Sequence, residues 1–141
     1  MRNYATQMEA AKKGIVTPEM QKVAEKEYLS AEEIRGLVAK GQVVICANKL
    51  HKCILPKGVG SMLSTKINVN LGVSRDCKDY NDEMNKVMLA VEMGADAIMD
   101  LSSHGDTQPF RRKLISECPA MIGTVPVYDS VIHFQRDLAT L

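Results

Sequence analysis

The chain has no tryptophan, two phenylalanines and four tyrosines. Nine methionines against so few aromatics point to an adaptable core, or to a site that uses soft side chains. Charge of one sign is also missing: 18 basic and 17 acidic residues give a net charge of +1. No basic field favours nucleic acid or an anionic membrane surface. No apolar run approaches the ~18 residues of a membrane span. The opening Met1-Arg2-Asn3-Tyr4-Ala5-Thr6 has no apolar stretch of a secretory signal, so the expected location is cytoplasmic. None of Cys46, Cys53, Cys77 and Cys118 stands in CxxC or zinc-finger spacing. Reduced, incidental thiols and no metal ligands are therefore expected.

What remains is an ordinary globular composition, 45% apolar and 25% charged, over 141 residues. That length suffices for one domain with a real core.

The first forty residues read as helical. Thr6 to Lys13 is a short run stopped by Gly14. Thr17-Pro18-Glu19 is a start signal: a hydroxyl cap, a proline at the first helical position, and an acid at the positive helix end. Ser30-Ala31-Glu32-Glu33 is a capping box whose helix should end at Gly41. Residues 1–41 thus form an N-terminal helical segment. Gln42 to Ala47 is a strand, and Pro56, Gly58 and Gly60 mark a loop.

From Lys66 the pattern changes. Ile67, Val69 and Leu71 alternate with polar residues. Met84, Val87, Met88 and Val91 recur at helical spacing until Gly94. Ala97 to Leu101 is a strand, Ser102 to Asp106 a polar loop, Phe110 to Glu117 a helix, and Met121 to Val127 a third strand. The order βαβαβ implies parallel strands with right-handed crossovers, an α/β fold. These strands do not close a barrel, which typically takes ~250 residues. The end, Arg136-Asp137-Leu138-Ala139-Thr140-Leu141, has no breaker and reads as a cut through a helix or loop.

Asn70 and Met99, at strand ends, are 29 residues apart, and Tyr128 follows after 29 more. On parallel strands all three reach the carboxyl edge, where α/β proteins collect functional residues. Asn70 offers a carboxamide to a heterocycle or sugar, or ties its own turn. Met99 is core or a soft contact, and Tyr128 is a phenol donor or a half-buried strand end. Asp100 caps the next turn or binds a ligand. His104 is an acid, base or anion donor, or a plain loop residue. His51, between Lys49 and Lys52, meets a phosphate or lies in an exposed basic loop. Ser102, Ser103 and Gly105 can offer hydroxyls and amides to a phosphate, although they form no P-loop.

Longer strings are more specific. Thr6-Gln7-Met8-Glu9-Ala10-Ala11, Ile15 to Met20, Ile67 to Gly72, Gly94 to Ser102, and Gly123 to Tyr128 together resemble the phosphomethylpyrimidine synthase family. The resemblance runs over nearly all of the chain. It implies an N-terminal helical segment, then over residues 42–141 the first βα units of a (β/α)₈ barrel that is incomplete here. It implies a radical S-adenosylmethionine lyase acting on aminoimidazole ribotide, with Asn70, Met99 and Tyr128 as substrate contacts. It also implies a homodimer at full length and a 4Fe–4S cluster. The family binds that cluster through a cysteine triplet near its C-terminus, which these four cysteines do not reproduce. The chain alone is therefore expected to be inactive.

Two branches of the family share the ribotide, one making the thiamine pyrimidine and one 5-hydroxybenzimidazole, a cobalamin lower-ligand base. Ser102-Ser103-His104-Gly105, Ser74-Arg75-Asp76-Cys77, Tyr128-Asp129-Ser130-Val131 and Thr107-Gln108-Pro109-Phe110-Arg111 look more like the second branch. The leading expectation is thus the N-terminal part of a 5-hydroxybenzimidazole synthase. The alternatives are phosphomethylpyrimidine synthase, and a non-catalytic binding module or gene remnant.

Overall fold

The computed structural model describes residues 3–135. The readings of Met1-Arg2 and of 136–141 lie outside the described residues. The chain divides into two compact units, one of 1–49 with 55–66, the other of 50–54 with the chain from 67 onward.

The first unit holds α1 (Gln7–Lys12), α2 (Pro18–Glu27), α3 (Ala31–Ala39), β1 (Val43–Cys46) and β2 (Lys57–Gly60). Its helix starts follow local chemistry. Thr17 Oγ1 accepts from the Met20 amide at 3.1 Å, and Pro18 takes the first position, where no amide is needed. Ser30 and Glu33 cap each other reciprocally, at 3.2 and 2.8 Å. Met20, Val23, Ile34, Val38 and Val43 bury their side chains together.

β2 falls where a loop is expected. Gly58 and Gly60 read as turn residues, yet they permit close approach within a strand. A Cβ on Gly58 would lie 2.7 Å from Val23 and Leu63 side-chain atoms, and one on Gly60 2.1 Å from the Gln42 carbonyl. β1 pairs antiparallel with β2, from Val43↔Gly60 to Cys46↔Lys57. β1 is therefore no part of the later parallel sheet.

The second unit holds β3 (Asn68–Leu71), α4 (Tyr80–Glu92), β4 (Ala97–Asp100), α5 (Thr107–Glu117), β5 (Met121–Thr124) and α6 (Pro126–Phe134). β3, β4 and β5 form one parallel sheet in that order. The register sets Val69, Ile98 and Ile122 side by side, and they pack on Met84, Val87, Phe110 and Leu114. Met88 is 44% exposed and faces away from that core, against its expected inward place.

Two boundaries move. α5 starts at Thr107 rather than Phe110, because Asp106 caps the Gln108 amide at 3.2 Å and Pro109 fits the first turn. β5 stops at Thr124 rather than Val127. Pro126 cannot donate to a ladder, and its fixed φ suits the first position of α6 instead.

Candidate functional site

The second row of the sheet faces away from the helices. Asn70 pairs with Met99, and Met99 with Gly123. Side chains alternate along a strand, so this row lies opposite the core-packed Val69–Ile98–Ile122 row. Asn70 is exposed, and its Oδ1 accepts from Asn68 Nδ2 at 2.8 Å. Met99 crosses the glycine beside it: a Cβ on Gly123 would lie 2.8 Å from its Sδ and Cε. Two of the three expected contacts thus sit together. Tyr128 does not extend the row. It lies in the first turn of α6, its amide bonded to the Val125 carbonyl at 3.0 Å. The equal spacing holds in sequence, but the β5 position in register with Met99 is Gly123.

Beyond the strand ends runs a polar network. Asp100 is buried at the end of β4. Its Oδ1 accepts from the Ser102 amide at 2.9 Å, and its Oδ2 from Arg111 Nε at 3.0 Å. Arg111 also donates to Asp129 Oδ2 through Nη1 at 2.7 Å. Thr107 Oγ1 donates to Asp129 Oδ1 at 2.7 Å. The Arg111 bond holds the Asp129 pKa below the usual 3.8, against the effect of burial and with help from Thr107. Burial works to lower the Arg111 pKa, but its bonds to Asp129 and Asp100 leave it raised.

A second carboxylate fixes the turn after β3. Glu83 is 2% exposed; it accepts from the Gly72 amide at 3.0 Å, the Cys77 thiol at 3.1 Å and Lys86 Nζ at 2.5 Å. Burial works to raise its pKa, but these bonds outweigh it and leave the value below the usual 4.5. Charge-assisted bonds of this kind anchor loops firmly.

A cleft of about 620 Å³ opens beside the network, lined by Gly105, Gln108, Arg111, His133 and Phe134 among others. It contains neither Asn70, Met99 nor Tyr128. Ser102 is buried, and its Oγ accepts from the Val73 amide at 3.0 Å, so its hydroxyl is engaged in joining two strand ends rather than in holding a phosphate. His51 is 5% exposed, with Nε2 2.6 Å from the Cys118 carbonyl oxygen, so its ring is buried although Lys49 and Lys52 beside it are exposed. His104 occupies the bend before α5. Sequence reasoning missed Arg111, Asp129 and Glu83. Each stands on a helix as one charge among several, and only the fold pairs it.

An iron–sulfur cluster finds no cradle among the described residues. Among the described residues no group of three His, Cys, Asp or Glu could hold a metal ion. The Cys118 thiol is buried, which pushes its pKa up, the reverse of what a ligating thiolate needs.

Comparison with known proteins gives a family-level match. The Radical SAM ThiC family matches residues 6–140. A phosphomethylpyrimidine synthase of Clostridioides difficile (strain 630) is 56% identical over 136 residues, covering 96% of this chain and 31% of the relative. One of Clostridium novyi (strain NT) is 58% identical over 136 residues, with 96% and 31% covered. One of Clostridium kluyveri (strain NBRC 12016) is 52% identical over 139 residues, with 99% and 32% covered. The chain spans about a third of the length of these relatives.

These names overturn the preference for the 5-hydroxybenzimidazole branch. Within the strings on which that preference rested, Ser74, Thr107, Arg111 and Asp129 make hydrogen bonds inside this chain.

Proposed function

We propose that this chain, which belongs to the Radical SAM ThiC family, supplies one wall of the substrate site of a phosphomethylpyrimidine synthase in thiamine biosynthesis. The observation that carries the reading is the 52–58% identity to proteins of that name over nearly the whole chain.

The substrate in this reading is aminoimidazole ribotide. Asn70 hydrogen-bonds the imidazole or ribose, with a carboxamide able to donate and accept. Met99, laid over Gly123, gives the ring a soft apolar floor. Tyr128 donates its phenol from the first turn of α6. S-Adenosylmethionine and an iron–sulfur cluster supply the radical chemistry in such a family, and the described residues supply no ligand set for the cluster. The share of this chain is to bind and orient.

A chimera tests the reading. The matching 136 residues of the Clostridioides difficile relative are replaced by this chain. With ribotide and S-adenosylmethionine, mass spectrometry should find the phosphorylated pyrimidine. A folded, cluster-loaded chimera that consumes ribotide to another product would refute the assignment.

A further inference from the structure

Two of the three proposed substrate residues are followed directly by an aspartate. Met99 precedes Asp100, and Tyr128 precedes Asp129. Both aspartates are held by one guanidinium. Arg111 donates to Asp100 through Nε at 3.0 Å and to Asp129 through Nη1 at 2.7 Å, with Nη2 at 3.4 Å. Its planar fork reaches both at once, which a lysine's single ammonium cannot do with the same geometry. The Asp100 side chain is 0% exposed, that of Arg111 21% and that of Asp129 34%.

We propose that Arg111 is a positioning residue that sets Tyr128 against the substrate by locking the first turn of α6 to the end of β4. The need for a lock is visible in α6 itself. Its N-cap is Val125, with no side-chain cap bond, and none of its residues is buried. No side-chain cap fixes this turn, in contrast to α4 and α5, which Asp79 and Asp106 cap. The side chain of Asp129, tied by Arg111 and Thr107, takes that role. A phenol displaced by a fraction of an ångström loses much of its value to a bound substrate.

The inference rests on reading Tyr128 as a substrate contact, and its test separates the two claims. The chain is labelled with ring-¹³C tyrosine, which gives four tyrosine signals, and Tyr128→Phe assigns the relevant one. Arg111→Lys keeps a positive charge for buried Asp100 but loses the fork. Thr107→Val removes the other tie on Asp129. Each should shift or broaden the Tyr128 signal and leave Tyr4 and Tyr28 in place, with little change in melting temperature. Aminoimidazole ribotide titrated into the same samples should bind roughly tenfold more weakly to Arg111→Lys than to the parent. An unmoved Tyr128 signal in both variants overturns the positioning role, whatever the ribotide does. Equal ribotide affinity in parent and Arg111→Lys overturns it too. A moved Tyr128 signal with no ribotide bound by the parent upholds the lock and counts instead against the ribotide reading.

Discussion

Met99 lies against Gly123 so closely that a Cβ there would stand 2.8 Å from its Sδ and Cε. Glycine weakens a strand unless another group needs its space. Here the thioether uses it. Gly123→Ala should displace the flexible end of Met99 at little cost to stability, because only its Sδ and Cε must give way. Ribotide titration of the chimera should show weaker binding, with urea unfolding close to that of the parent. Unchanged ribotide affinity would mean that the place of the methionine over Gly123 does not matter to the substrate.

Acid should loosen the second unit through two carboxylates. The Glu83 and Asp129 pKa values lie below their usual 4.5 and 3.8. A lowered folded value means that the unfolded chain takes up protons first as pH falls. The stabilisation is therefore fully present above the usual values and is lost as pH drops through and below them. Melting temperature followed from pH 7 downward should fall most steeply below about 4.5. Glu83→Gln should flatten that fall, because an amide still accepts from Gly72 but does not titrate.

His51 should hold the short segment Leu50–Ile54 in its unit. The ring is buried and bonded to the Cys118 carbonyl at 2.6 Å, and the Cys53 thiol donates to the same oxygen at 3.3 Å. Losing a buried partner costs about 1–3 kcal/mol. His51→Ala should therefore speed hydrogen exchange of residues 50–54 above other segments. Unchanged exchange there would leave the histidine as filler.

What the sequence makes legible is what local chemistry decides. Thr17 and Ser30 announce their caps because the partners are three residues away, and both bonds form. The βαβαβ order follows from periodicity, and the three strands are parallel. Contacts distant in sequence account for β2 and for Arg111, whereas Asp106 and Pro126 move their boundaries locally. Gly58 and Gly60 look like turn residues until Val23 and Gln42 are seen beside them. Pro126 ends a strand that its apolar neighbours alone would continue, and this moves Tyr128 from a strand end into a helix. Arg111 could not be matched with Asp100 and Asp129 from spacing alone. Thr107, Arg111 and Asp129, in the strings that suggested another product, are hydrogen-bonded to one another within the chain.

The most direct measurement is ribotide affinity in the chimera with and without Asn70→Ala. Asn70 is exposed on the open sheet face, so the change should leave folding and cluster content intact. The account predicts a dissociation constant raised roughly tenfold, the equivalent of a hydrogen bond or two lost. An unchanged constant, with the cluster spectrum and melting temperature of the parent, would contradict the claim that this face is a wall of the ribotide site.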